Sequence, residues 1–140
     1  MSFLLDTNVV SETRKGAKAD PGVVAWLDDR AEDEIFLSVL TLGEIRRGIE
    51  SARRRDRKFA AALETWLGRI ADQHQDRILA VDRSVAEEWG RMSVPDPLPD
   101  IDGFLAATAK VHGLTLATRN VADIERTGVD YVNPFDPSND

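Results

Sequence analysis

Residues 3–8 read Phe-Leu-Leu-Asp-Thr-Asn, an apolar run that stops abruptly at three polar residues. Bulky apolar side chains followed by cap-forming residues predict a buried strand that runs straight into a helix N-terminus. The rest of the chain repeats that alternation. Asp20-Pro21 predicts a helix start, with Asp as N-cap and Pro at the first helical position, and Val23, Val24, Trp26 and Leu27 supply its buried face. Ile35-Phe36-Leu37 predicts a second strand, and Thr41 begins the next helix. A long helix is expected over about residues 53–75, because Phe59, Leu63, Trp66, Leu67 and Ile70 fall on one stripe at helical spacing. Ile78-Leu79-Ala80-Val81 reads as a third strand, after which Asp82 caps a helix carrying Val85 and Trp89. Three prolines between Val94 and Asp100 require a loop. A helix from about Ile101 to His112 ends at Gly113, Leu114-Thr115-Leu116-Ala117 is a fourth strand, and Tyr131-Val132 closes a sheet of four to five strands. Strands alternating with helices predict an α/β fold: an open, mainly parallel sheet with helices on both faces. A length of 140 residues suits one domain spanning residues 1–140.

Composition narrows the function classes. Apolar residues make up 42% and charged residues 31%, which excludes wholesale disorder. No apolar run approaches the ~20 residues of a membrane-spanning helix, and Phe3-Leu4-Leu5 is too short for a secretory signal. With no cysteine, disulfides and thiolate chemistry are excluded and a reducing cytoplasm is the expected location. The net charge of −7 argues against a general nucleic-acid coat, which would be basic.

In open parallel sheets, sites lie outside the carboxyl ends of the strands. That rule selects four acids. Asp6 ends the first strand, Glu44 and Asp102 fall in the first turns of later helices, and Asp123 follows the fourth strand beyond Thr118-Arg119-Asn120. Each has a structural reading as well. Thr41-Leu42-Gly43-Glu44 matches a capping box. Asp102 favours a helix N-terminus by roughly 0.3–1 kcal/mol, although Asp100 is the expected cap there. Asp123 alone reads as a surface or capping residue, whereas Asp6 ends an apolar strand and should be partly buried. As a set, the four point elsewhere: carboxylates ~5 Å apart repel by about 3 kcal/mol at an effective dielectric near 20. A divalent cation removes that repulsion, and an all-oxygen donor set points to Mg²⁺ or Mn²⁺. His74 and His112 both read as solvent-facing, and no glycine-rich phosphate loop or nucleophile elbow is present. Any enzymatic chemistry here is therefore carried by metal.

Bases are concentrated in one place. Between residues 46 and 58 stand Arg46, Arg47, Arg53, Arg54, Arg55, Arg57 and Lys58, against only Glu50 and Asp56. The alternatives are a solvated helix junction and a phosphate-binding surface beside Glu44, with Arg119 adding a contact next to the acids.

Four motifs in order resemble the PIN domain, and specifically the VapC/FitB-type toxins of bacterial toxin–antitoxin pairs. They are Leu5-Asp6-Thr7-Asn8, Thr41-Leu42-Gly43-Glu44, Asp102-Gly103-Phe104-Leu105-Ala106-Ala107-Thr108-Ala109 and Thr118-Arg119-Asn120-Val121-Ala122-Asp123. The likeness runs from residue 2 to Asn133-Pro134-Phe135. It implies a metal-dependent ribonuclease, usually a homodimer, inhibited by a cognate antitoxin encoded beside it. By motif match the metal-binding and catalytic acids are Asp6, Glu44, Asp102 and Asp123, with Thr118 and Asn120 supporting them. Asp100 either supports the cluster or caps its helix. Asn8 is expected to orient Asp6 through a hydrogen bond, and Arg46, Arg53, Arg54, Arg55, Arg57 and Arg119 become the expected RNA contacts.

Other classes fit less well. A phosphoacceptor signalling module needs a lysine after its last strand, and the only late lysine, Lys110, lies inside a helix. An aspartyl-phosphate phosphatase would carry a second Asp where Asn8 stands, and a non-catalytic module would usually have lost an acid. A PIN-type nuclease of RNA processing, or one acting on DNA, is the serious alternative.

Overall fold

The computed structural model describes residues 1–136. The last four residues of the expected 1–140 domain lie outside the described residues. Five strands, β1 (Phe3–Leu5), β2 (Ile35–Ser38), β3 (Ile78–Leu79), β4 (Thr115–Ala117) and β5 (Tyr131–Val132), form one sheet in the order β3-β2-β1-β4-β5. Every pairing is parallel; Phe3 stands opposite Ile35 on one side and Thr115 on the other. β1 is therefore central, and its side chains alternate between two cores. Phe3 and Leu5 pack with Val9, Val23, Trp26, Ile49, Trp66 and Ile70 on one face. Leu4 packs with Leu105, Ala106, Leu116 and Ile124 on the other.

Among the described residues, seven α-helices cover the sheet: α1 (Thr7–Glu12), α2 (Pro21–Asp28), α3 (Val39–Arg53), α4 (Arg57–Gln73), α5 (Arg83–Met92), α6 (Asp100–His112) and α7 (Val121–Glu125). Their caps follow the sequence. Asp6 accepts from the Thr7 amide, Asp20 from the Val23 amide and Asp82 from the Val85 amide, and Gly113 takes the left-handed conformation that ends α6.

Several expectations need correction. α3 begins at Val39, because Ser38 caps it by accepting from the Leu40 amide. Thr41 is thus interior and fully buried, and its hydroxyl makes no hydrogen bond, so the capping box with Glu44 does not form. The long helix expected over about 53–75 is α4, which starts later, at Arg57, because α3 runs on to Arg53 and Asp56 caps α4 by accepting from the Phe59 amide at 3.0 Å. Phe59 is 45% exposed, lying under the Arg14 guanidinium instead of joining the core stripe. Val24 is likewise exposed, and the third strand stops at Leu79. His74 is half-buried, with Nδ1 against the Ile70 carbonyl, whereas His112 is exposed as expected. Pro99, not Asp100, occupies the N-cap of α6; Asp100 is its exposed first residue and makes no capping bond. No helix among the described residues is long and apolar enough to cross a membrane.

Candidate metal centre

The carboxyl end of β1 sits between those of β2 and β4, and the chain delivers one acid there from each neighbouring element. Asp6 follows β1 directly and is 5% exposed. Its carboxylate is held by three donors: the Thr7 amide on Oδ1 at 2.6 Å, and the Thr118 hydroxyl at 2.7 Å and Asn8 Nδ2 at 3.3 Å on Oδ2. Burial nevertheless pushes its pKa above the usual carboxylate range, with Glu44 adding a like charge. Asp102, in the first turn of α6, is pushed the same way, by burial first and then by the charge of Asp6. Asp123, in the first turn of α7, and Glu44 contribute to that shift too, while the Asn120 side chain opposes it by hydrogen bonding Asp102.

The four expected acids therefore face one another electrostatically. Among the described residues, however, no group of three acidic or histidine side chains is drawn together closely enough to grip an ion. Like charges spread, since a pair ~5 Å apart repels by about 3 kcal/mol at an effective dielectric near 20. Glu44, which the early start of α3 places in its second turn, accepts a 2.6 Å bond from the Thr7 hydroxyl.

Of the expected supporting residues, Thr118 and Asn8 hydrogen-bond Asp6, and Asp100 stands apart. Thr118 is fully buried; its hydroxyl donates to Asp6 and accepts from the Asn120 amide at 2.9 Å. Asn8 bridges two loops, donating to Asp6 and accepting from the Arg119 amide at 3.2 Å. Asp100 is the exception, since it hydrogen-bonds none of the acids among the described residues.

The arginines divide. Arg46 and Arg53 are committed to Glu64 and Glu50 across the α3–α4 pair, a network that pulls Glu64 down to about 2. They brace the two helices through these ion pairs. Arg119 lies flat over the Phe135 ring, 3.8 Å from its centroid, and its charge helps to lower the pKa of Glu12. Arg54, Arg55 and Arg57 are exposed and make no ion pair among the described residues. Arg55 also lines a groove of about 250 Å³ that starts at Thr7 and Glu44 and passes Arg14, Phe59 and Trp66. Sequence reasoning missed Arg14 and the Thr7 hydroxyl; the polar run after β1 was their only signal.

Comparison with known proteins agrees with this geometry. The PIN domain family matches residues 3–129. The chain is 34% identical to the VapC ribonuclease Y4jK of Sinorhizobium fredii over 97% of its own length and 99% of the relative's. It is also 34% identical to Toxin FitB of Neisseria gonorrhoeae, covering 95% of this chain and 98% of that one. A solved structure of FitAB bound to an IR36 DNA fragment superposes with a TM-score of 0.85 at 32% identity, covering 96% of each chain.

Proposed function

We infer the reaction from the premise that this chain belongs to the PIN-domain family and is a VapC-type ribonuclease toxin of a toxin–antitoxin system. PIN nucleases are metal-dependent in general. We propose that Asp6, Glu44, Asp102 and Asp123 hold one or two Mg²⁺ ions, with Mn²⁺ able to substitute. The donor set fits: all oxygen, without sulfur or imidazole, and with two carboxyls whose pKa values are raised by burial and then by neighbouring carboxylates. The delivery of four acids to one edge of the sheet by β1, α3, α6 and α7 is the observation that carries the proposal. A bound divalent cation supplies a lowered pKa for a water molecule and charge stabilisation on the scissile phosphate.

The protein's own groups set the remaining terms. Thr118, Asn8 and the Thr7 amide fix Asp6 and oppose the upward push of burial on its pKa, and Asn120 opposes the same push on Asp102. His112 lies at the opposite end of α6 from Asp102, so no imidazole is at hand to activate a ribose 2′-hydroxyl. Water is the nucleophile on this reading, and cleavage leaves 5′-phosphate and 3′-hydroxyl ends. The RNA backbone is met by Arg54, Arg55 and Arg57, together with Arg14 in the groove beside Glu44. The partner is a cognate antitoxin, supported by the likeness to FitB in its FitAB complex, and we take the protein to be a homodimer of one-domain chains.

Cleavage of RNA oligonucleotides followed by mass spectrometry tests the reading. Activity should require Mg²⁺ or Mn²⁺, disappear in Asp6→Asn, and give 5′-phosphate products. Full cleavage in excess chelator, or 2′,3′-cyclic phosphate ends, would overturn it.

A further inference from the structure

Asp6 and Glu44 are secured very differently. Asp6 is buried and held by three donors, so its carboxylate has one available position. Glu44 is half-exposed on a long side chain, and its one hydrogen bond among the described residues comes from the Thr7 hydroxyl, 37 positions earlier in the sequence. Thr7 thus touches both acids, giving its amide to Asp6 Oδ1 and its hydroxyl to Glu44 Oε1, each at 2.6 Å. The hydroxyl is not needed to start α1, because the Asp6 carboxylate already caps that helix. A hydroxyl also has a single proton. Spent on Oε1, it leaves Oε2 without a hydrogen bond among the described residues.

We infer that Thr7 is a positioning residue, whose hydroxyl ties Glu44 to Asp6 as a fixed pair and thereby sets the protein's affinity for a divalent cation. This rests on the reading of Asp6 and Glu44 as cation ligands. Groups that orient ligating carboxylates typically change metal affinity by 10–100-fold when removed. The amide bond to Asp6 survives any substitution at position 7, so a side-chain variant isolates the tie to Glu44.

The test is calorimetric titration of Mn²⁺ into the metal-free full chain. Thr7→Val keeps the side-chain shape and removes the donor; it should weaken Mn²⁺ binding about tenfold while leaving the metal-free melting temperature within about 2 °C of the parent. Thr7→Ser restores the donor and should bind within about threefold of the parent. Should Thr7→Val fold poorly, Thr7→Ala takes its place. Glu44→Gln should weaken binding as well, and adding Thr7→Val to it should cost almost nothing more, since the carboxylate that the tie positions is already gone. Parental affinity in Thr7→Val, alongside weakened binding in Glu44→Gln, would overturn the role of Thr7 and leave the ligand set standing. The same loss from Thr7→Val with and without Glu44→Gln would also overturn it, because Thr7 would then act elsewhere. If Asp6→Asn and Glu44→Gln both bind Mn²⁺ as the parent does, it is the ligand set itself that fails.

Discussion

Replacing Asp102 by Asn should stabilise the metal-free protein and weaken its response to metal, two effects that a merely structural acid would not combine. Asp102 is half-buried, and its carboxyl is pushed up by burial and by the charges of Asp6, Asp123 and Glu44. Bare Coulomb energies at close range overstate such terms at a half-exposed site, where screened pairs are worth about 0.2–1 kcal/mol each. Three repulsive neighbours at ~0.5 kcal/mol give ~1.5 kcal/mol. Against that, an anion in the first turn of α6 gains about 0.5 kcal/mol from the helix dipole. The net gain of about 1 kcal/mol should raise the melting temperature by roughly 3 °C for a chain of this size. Metal reverses the ranking. At 100 times its dissociation constant a cation adds about 2.7 kcal/mol to the parent, and a tenfold loss of affinity removes about 1.4 kcal/mol of that. Thermal melts followed by circular dichroism, with chelator and then with a fixed concentration of Mg²⁺ or Mn²⁺, read both effects. A metal-free Asp102→Asn protein that melts below the parent, with an undiminished metal shift, would show that Asp102 serves the helix terminus and not the cation.

Three further outcomes follow from the same coordinates. Asp6 and Asp102 have raised folded-state pKa values, so the metal-free fold takes up protons before the unfolded chain does; its melting temperature should rise as pH falls from neutral toward the carboxylate range, and Asp6→Asn should flatten that rise. Glu12 runs the other way, because Lys15 and the Asp20 amide hold its pKa down, and its contribution disappears only at lower pH, below about 4.5. A Cβ on Gly103 would stand 3.0 Å from Trp89 Cδ1 and Nε1 and 3.1 Å from Leu98 Cβ, so Gly103→Ala should cost about 1–3 kcal/mol in denaturant unfolding, and a neutral result would mean that Trp89 moves freely. Changing Arg54, Arg55 and Arg57 to Gln should reduce the salt slope of RNA binding by about 2, whereas Arg46→Gln and Arg53→Gln should leave the slope alone and loosen the α3–α4 pair.

The strands were legible because each is a short apolar run bounded by polar residues, although in Phe3-Leu4-Leu5 only the packing shows which side chain enters which core. Helix boundaries were harder wherever two caps competed. Ser38 and Thr41 both suit an N-cap, and the choice fell to Ser38 because β2 ends there and turns directly into α3. Asp56 was hidden in a run of arginines, so the start of α4 was placed about four residues too early. The acids could be located from strand ends alone, since a parallel sheet sends every strand's carboxyl end to the same edge. What holds them could be read only in part. Asn8 lies two residues from Asp6, but the Thr7 hydroxyl meets Glu44 only once α1 and α3 have packed. The commitment of Arg46 and Arg53 to Glu64 likewise depends on the antiparallel pairing of two helices, which charge counting along the chain does not reveal.

Why the fold tolerates four facing carboxylates follows from where each one sits. Asp6 is the N-cap of α1, and Asp102 and Asp123 lie in the first turns of α6 and α7, so three of the four stand at helix N-termini. An anion there gains about 0.3–1 kcal/mol, which offsets part of the repulsion without a metal. Glu44 has no such help, being in the second turn of α3, and relies on the Thr7 hydroxyl instead. Burial adds a gradient: Asp6, on the central strand, is almost inaccessible, while the three acids on flanking helices are half-buried. The central acid is therefore a fixed reference, with Glu44 tied to it through Thr7, and Asp102 and Asp123 retain freedom to close toward it. Loss of Asp6 should accordingly be the least recoverable of the four changes: no raised Mg²⁺ or Mn²⁺ concentration should restore cleavage to Asp6→Asn, whereas Asp123→Asn should regain part of its rate. Equal rescue of both variants would mean that the graded burial has no bearing on the site.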